Sequence, residues 1–210
     1  MKRCVWVLVF AAMMLSLSAC AEKGPLLLSG VTYQAPEGVV GGASKVVVGV
    51  SPFKDERGKI TSVLGKRTVG GEVENDLVVQ GTVADLVAAG LRDALKARGI
   101  GARVVPAGDL SAGDIKADGA DIVIGGEIRS LWAEVISEPL NVKITAVVQL
   151  RVSAADAAEK KVFRTLVLNS KVERQEIAFS FDRVEGALSE ALSGAIDQLM
   201  NDDEFKKKIH

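Results

Sequence analysis

The chain has 210 residues, of which 48% are hydrophobic and 25% are charged, a composition typical of a packed globular protein and too apolar for disorder. The net charge is −1 and no basic stripe with interleaved aromatic residues is present, which argues against nucleic-acid binding. Aromatic residues make up only 4%, so the core must be built from Val, Leu, Ile and Ala.

The first twenty residues have the pattern of a bacterial lipoprotein signal peptide. Lys2 and Arg3 precede a mostly apolar stretch from Val5 to Leu17, which is short for a membrane-spanning helix and typical of a signal-peptide core. Leu17-Ser18-Ala19-Cys20 resembles the lipobox, in which the cysteine thiol accepts diacylglycerol and small residues precede the cut. We therefore predict a signal peptide over residues 1–19 and lipidation of Cys20. Secretory cleavage without lipidation and a retained membrane helix are the alternatives.

Lipidation would place the protein on an envelope membrane through its N-terminus. Ala21 follows the cysteine, and by analogy with enterobacterial sorting this residue indicates the outer membrane, facing the periplasm. Cleavage would remove Cys4, which leaves the mature chain without a free thiol or a disulfide. Residues 20–44 contain several Gly and Pro residues and are predicted to be the lipidated cysteine followed by a flexible tether. A single domain is expected over 45–210.

The pattern of apolar residues predicts the elements of that domain. Lys45–Phe53 is predicted to be a central strand covered on both faces, and residues 54–81 a long loop or a loose hairpin. Thr82–Arg98 is predicted to be an amphipathic helix with a capping box from Thr82 to Asp85. Two less regular segments follow, a short strand over 102–106 and a short helix or turn over 109–117.

Three long strands and a helix complete the predicted domain. The strands cover 121–137, 141–152 and 161–179, and their alternation predicts an antiparallel meander with one buried face. The buried face is expected to include Ile122, Ile124, Gly126, Ile128 and Trp132 in the first strand, and Val162, Leu166, Leu168 and Val172 in the third. A helix over about 182–201 follows, with capping-box spacing from Asp182 to Glu185, and then a short helix over 204–209. We predict an α+β two-layer sandwich with an antiparallel-rich mixed sheet and both long helices on one face.

The chain resembles the YajG-like bacterial lipoproteins, envelope proteins without an assigned activity. The resemblance begins with the lipobox and continues with a Val-rich strand followed by Asp55-Glu56-Arg57 and Leu64-Gly65-Lys66-Arg67. Later come a leucine-striped helix that ends at Arg98-Gly99, three long strands, and the acidic segment 201–205. It implies a lipid-anchored envelope protein with a compact α+β domain, and it brings no catalytic residues.

No catalytic or metal-binding pattern stands out in the sequence. The single histidine is the last residue, His210, which excludes a catalytic histidine within the fold and the commonest metal ligand. A Ser-Lys dyad or a carboxylate pair stays formally possible. Gly70-Gly71 and Gly125-Gly126 do not match a phosphate-binding motif, and the second pair is expected to mark a bulge or a close contact between a helix and the strand. We therefore expect no enzymatic activity, no cofactor and no metal.

Asp55, Arg57, Lys66 and Arg67 are the candidate residues for contact with a partner or a ligand. They lie on predicted loop segments, where binding groups are common, and arginine is suited to carboxylate or phosphate recognition. The alternative is a solvated charge cluster or a local salt bridge. Trp132 is expected to pack in the core or at a strand edge, with a sugar-binding platform as its alternative.

Two functions follow from these observations. The first is a non-enzymatic accessory or scaffold that binds another envelope protein, with an available sheet edge for strand addition. The second is a periplasmic module that binds lipid, peptidoglycan or a small anion in a pocket near Arg57 and Arg67, between the sheet and the 54–81 loop.

Overall fold

The computed structural model describes residues 24–39, 41–42, 44–108, 110 and 113–209. The predicted signal peptide, Cys20 and His210 lie outside these residues, as does part of the segment 109–117. The strands are β1 (Leu26–Leu28), β2 (Val47–Val50), β3 (Lys54–Asp55), β4 (Val63–Val69), β5 (Glu72–Val79), β6 (Gly101–Val104), β7 (Ile122–Glu138), β8 (Asn141–Asp156) and β9 (Lys161–Glu176). The helices are α1 (Val83–Ala97), α2 (Phe181–Met200) and α3 (Asp203–Ile209).

Strand β7 is the central strand of a nine-stranded mixed sheet. One of its edges pairs with antiparallel β8, which pairs in turn with β9, as the predicted meander requires. Its other edge pairs with three short parallel strands in succession: β2 along 122–124, β3 along 127–128 and β4 along 133–137. Strand β6 extends the sheet beyond β2, whereas β5 and β1 extend it beyond β4.

The two long helices cover one face of this sheet, which confirms the predicted α+β two-layer sandwich. Helix α2 packs against β8 and β9, and α1 lies beside α2 over β2 and β6. Alternate residues of β8, from Val142 to Ala154, are buried beneath the helices, while the residues between them are partly exposed. The period-2 pattern in the sequence therefore gave the correct buried face for β8.

Of the two predicted capping boxes, one is present in the structure and the other is not. The capping box of α1 is confirmed, because the Thr82 hydroxyl accepts the Asp85 N–H at 3.1 Å and Gly99 after the helix has φ +71°. The predicted capping box of α2 is wrong. That helix begins at Phe181 after Ser180, which makes no side-chain capping bond, and Glu185 instead accepts backbone N–H groups from elsewhere in the chain.

Two β-bulges change which side chains face the core. A shift in register between Ile128 and Ser130 places Trp132 on the face away from the helices, although Ile128 is in the core. A second shift, between Ala154 and Ala155, has the same effect on Val162, which packs with Val123 and Ala155 outside the main core. The predictions for Trp132 and Val162 are therefore wrong, since strict alternation assumes an uninterrupted ladder.

Strand pairing shows what the predicted central strand and the segment 54–81 form. Strand β2 lies between β6 and β7, and residues such as Val105, Leu110 and Ala120 cover it on the face opposite the helices. Most of residues 54–81 form β3 and the β4–β5 hairpin, so the hairpin alternative is correct. The hairpin turns at Gly70 and Gly71, whose φ angles of +59° and +89° suit the type I′ turn that joins two-residue hairpins.

The segment from Ser29 to Gln34, which we call the N-terminal strap, lies along α2. Glu185 accepts the N–H groups of Ser29 and Gly30 at 2.7 and 2.8 Å. The hydroxyl groups of Ser189 and Ser193 accept those of Thr32 and Gln34 at 3.0 and 2.8 Å. These acceptors recur every four residues and so form one row along the helix.

The strap is joined to both helices and continues a paired strand. Tyr33 donates its hydroxyl hydrogen to Asp197 at 2.7 Å, and Arg98 at the end of α1 donates to both Tyr33 and Asp197 at 2.8 Å. Strand β1, just before the strap, pairs with β5. The predicted flexible tether over 20–44 is therefore wrong for residues 26–34, whose backbone groups find partners in β5 and α2.

Loss of one strap acceptor should loosen this segment without unfolding the domain. In Ser189→Ala the N–H of Thr32 loses its partner, and we expect a loss of roughly 1–2 kcal/mol in the free energy of unfolding. Hydrogen exchange at the Thr32 amide should accelerate. Glu190→Ala, which removes an exposed side chain next to it, is the control and should leave that exchange unchanged. Equal exchange rates in both variants would contradict the assignment.

Candidate functional site

The four charged residues proposed from the sequence do not form one site. Asp55 and Arg57 pair with each other, with Arg57 donating from Nη2 and Nε to the two carboxylate oxygens at 2.7 and 2.8 Å. Their side chains are only 11% and 3% exposed. The local salt bridge, which was the alternative interpretation, is therefore what forms, and it leaves no room for a ligand at Arg57.

Arg57 also completes the hydrogen bonding of the sheet. Its Nη1 donates to the carbonyl oxygens of Val63 and Leu131 at 2.6 and 3.1 Å. Leu131 lies in the interval of β7 between the residues paired with β3 and those paired with β4. The guanidinium group thus replaces ladder hydrogen bonds that are missing between two short strands. It also holds the pKa of Asp55 below its ordinary value, mainly through their hydrogen bonds, so the carboxylate stays ionised at neutral pH.

Lys66 and Arg67 lie in different surroundings. Lys66 forms a partly exposed ion pair with Glu134 at 3.2 Å. The guanidinium group of Arg67 stacks on Phe179, with 4.2 Å to the ring centroid, and its Nε donates to the hydroxyl group of Ser137 at 3.2 Å. The expected pocket shared by Arg57 and Arg67 is therefore absent, because Arg57 is enclosed by the sheet and Arg67 is engaged by Phe179.

A cleft of about 600 Å³ lies elsewhere, on the face of the sheet opposite the helices. Its lining includes Phe53, Gly125, Gly126, Glu127, Arg151 and Ser153. The two glycines leave its floor without side chains. Glu127 and Arg151 face each other across β7 and β8 and form an ion pair at 3.5 Å.

One pattern in the sequence coincides with this cleft. Gly125-Gly126 in the middle of a strand was expected to mark a bulge or a close contact between a helix and the strand, but the close neighbours are β8 and the loop at Leu110 instead of a helix. A Cβ atom on Gly126 would lie 2.0 Å from the carbonyl oxygen of Arg151, and one on Gly125 would lie 3.3 Å from Leu110. Phe53, Arg151 and Ser153 were missed because their convergence depends on strand register.

Beyond the cleft, the helix-free surface of β7, β8 and β9 is exposed, and we call it the open face. Charged pairs such as Lys66–Glu134 and Lys171–Glu173 lie on it among apolar side chains. The apolar members are Trp132, Ile136, Val147 and Val167. Trp132 is half-buried with the ammonium group of Lys59 5.3 Å from a ring centroid, so it belongs to this surface rather than to the core.

The outer edge of β9 is partly closed. At Asn169 the backbone N–H donates to Oε1 of Gln198 at 3.2 Å, and the carbonyl oxygen accepts from Nε2 of Gln198 at 2.6 Å. The side-chain amide of α2 thus occupies the two groups that an added strand would use at this position. Strand addition, which the sequence favoured as a binding mode, is opposed at the centre of this edge.

Neither metal ligands nor membrane-spanning helices are found in the part of the chain that the structure describes. No group of three or more His, Cys, Asp or Glu residues is placed to hold a metal ion there. Across the same residues, every helix is too short or too polar to cross a bilayer.

The fold is similar to that of a solved structure, at low sequence identity. No protein-family model matches the chain, and no curated protein sequence matches it. Protein XCC0632 from Xanthomonas campestris, described as DUF330, has the same fold, with a TM-score of 0.57 and 14% identity over 83% of this chain and 91% of that one.

Weaker similarities connect the chain to two further solved structures. The hypothetical protein CT253 from Chlamydia trachomatis gives a TM-score of 0.45, with 14% identity over 75% of this chain and 94% of that one. Lipoprotein GNA1162 from Neisseria meningitidis gives 0.38, with 14% identity over 75% and 99%. The fold comparison therefore rests on the Xanthomonas protein.

The Arg57 pair should contribute far more to stability than the Lys66 pair. Arg57→Ala leaves Asp55 without its partner and two carbonyl groups unpaired, and we expect a loss of about 3–5 kcal/mol in the free energy of unfolding. Lys66→Ala, which breaks an exposed pair, should cost under about 1 kcal/mol. Denaturant titration of both variants measures the difference. Equal losses would show that the Arg57 pair is not the structural element described above.

Proposed function

We propose that the protein is a lipid-anchored accessory protein of the bacterial cell envelope, without enzymatic activity, that binds another envelope protein. The lipobox at Leu17–Cys20 and the resemblance to YajG-like lipoproteins support the anchor. Ala21 supports the outer membrane, with the domain in the periplasm. The YajG-like lipoproteins have no assigned activity, which agrees with a binding role rather than a catalytic one.

The open face is the observation that carries the binding role. A two-layer sandwich leaves one face of its sheet without a covering layer, and here that face combines apolar and charged side chains. Mixed surfaces of this kind, with aromatic and aliphatic residues among charges, are typical of protein interfaces. The cleft lies beside Val167, since Arg151 pairs with Val167 across β8 and β9. A side chain of the partner can therefore enter the cleft while the surrounding surface makes contact.

The paired state of the charged groups supports a non-enzymatic role. Within the described residues, no buried side-chain nitrogen or oxygen atom lacks a hydrogen-bond partner. Catalytic groups are commonly held in strained or unpaired states that shift their pKa towards the working pH. Asp55 and Asp156 shift the other way, because hydrogen bonds from Arg57 lower the pKa of Asp55 and a hydrogen bond from Lys208 lowers that of Asp156.

The anchor has a direct test in the host cell. Wild-type protein should incorporate labelled palmitate, and Cys20→Ala should abolish incorporation because the thiol is the acyl acceptor. Ser29→Ala, which leaves the lipobox intact, is the control and should be labelled like the wild type. Mass spectrometry should find diacylglycerol and an acyl chain on the mature N-terminus. A mature protein with a bare N-terminus would contradict the anchor.

Site-specific photocrosslinking tests the open face. A benzophenone amino acid at Val167, beside the cleft, should give an adduct of one defined mass in intact cells. The same amino acid at Lys96, which is exposed on α1 in the other layer, should give none. Adding Ser153→Trp, which fills the cleft, should reduce the yield at Val167 several-fold. Equal adducts at both positions, or no effect of Ser153→Trp, would count against the open face as the interface.

A further inference from the structure

Three connections meet at one end of the sheet. They are the β4–β5 turn at Gly70–Gly71, the β7–β8 turn at Pro139–Leu140, and residues 177–180 between β9 and α2. The register brings them together, because Val69 pairs with Ser137 in parallel and Val142 pairs with Glu176 in antiparallel. The β8–β9 turn lies at the opposite end, one length of β8 away, or about 50 Å.

The two most exposed large apolar side chains of the described residues lie at this end. Leu140 and Ile177 are each 87% exposed. Val73 and Phe181 are also exposed beside these connections, and Phe181 is held edge-on against Phe179 with 5.3 Å between ring centroids. We call Val73, Leu140, Ile177 and Phe181 the apolar tip. A cluster of this kind on a protein surface marks a site of interaction.

The chain approaches the apolar tip as it runs back towards Cys20. Strand β1 is parallel to β5, and β5 runs away from the turn at Gly70–Gly71. Gly24 lies nearer that turn than β1 does, since its carbonyl oxygen accepts from Asn75 at 2.8 Å. Cys20 precedes Gly24 by four residues, which can span at most about 14 Å. The attachment point of the proposed lipid is therefore limited to the neighbourhood of this end of the sheet.

We propose that the apolar tip inserts into the surface of the bilayer that holds the lipid on Cys20, and that the sheet stands with this end against the membrane. The inference rests on the proposed anchor and adds the orientation of the domain. Charge does not drive the contact, because exposed Glu138 and Asp182 lie at this end together with Arg183. Insertion of apolar side chains accounts for it, so vesicles of zwitterionic phosphatidylcholine are sufficient as a probe.

Fluorescence quenching by spin-labelled lipid tests the orientation. The mature chain has no cysteine other than Cys20, so a single cysteine introduced by Glu138→Cys can carry an environment-sensitive fluorophore at the tip. Glu159→Cys, in the β8–β9 turn, is the matched control, because it replaces the same exposed residue type at the far end. In the acylated full-length mature protein on vesicles, quenching at position 138 should exceed that at 159 several-fold. Equal quenching at the two positions would overturn the proposal.

Two further measurements separate the tip from the anchor. With Leu140→Ser and Ile177→Ser added, the protein should stay on the vesicles through its lipid, but quenching at position 138 should fall several-fold. Persistent quenching in that variant would overturn insertion of the tip. Protein without Glu138→Cys tests the anchor alone, because Cys20 is then its only cysteine. If the fluorophore labels this protein, the Cys20 thiol is free and therefore not acylated. That outcome would refute the anchor and the orientation together.

Discussion

The architecture depends on the need to provide β7 with hydrogen-bond partners along both edges. Its 17 residues lie in the middle of the sheet, where no backbone N–H or C=O group can turn to water without cost. Strand β8 satisfies one edge with a single antiparallel partner. The other edge is shared by β2, β3 and β4, and the chain must leave the ladder between β3 and β4. The guanidinium group of Arg57 bonds Leu131 of β7 and Val63 of β4 in that interval, and Asp55 of β3 compensates its charge, so one buried ion pair joins β3 and β4 along this edge.

A second constraint connects the N-terminus with the C-terminal helix. The strap has no strand partner beyond β1, so its N–H groups depend on side chains of α2 that recur every four residues. The buried serines of α2 thereby have a structural purpose, since an apolar helix face would leave the strap unpaired. Any load applied at the proposed anchor reaches the core through this row of bonds and through β1, without a long flexible segment between them.

The sequence predicted the features that depend on local periodicity. The three long strands, both long helices and the capping box at Thr82 follow from spacing within one element. The bulge beside Arg129 could not be predicted, because it depends on the pairing of β7 with β8. It moves the later side chains of β7, including that of Trp132, to the face opposite the one that alternation predicts. The strap was missed for a similar reason, since its acceptors lie 155 residues or more away in the sequence. The candidate site was predicted from charged residues on an expected loop. Whether an arginine is solvated or buried depends on the residues that pack over it, and Arg57 is buried.

The two faces of the sheet differ in the size of the side chains that they carry. The helix-covered face is filled by Val, Leu and Ile, whereas β7 carries two glycines where the open face meets the loop containing Leu110. A side chain at Gly126 would collide with the backbone of β8, so that position must stay small for the strands to pair. Gly125, its neighbour on the opposite face, leaves the cleft floor without a side chain beside Leu110. The recess that the proposed partner would use therefore forms where glycine in β7 meets the loop containing Leu110.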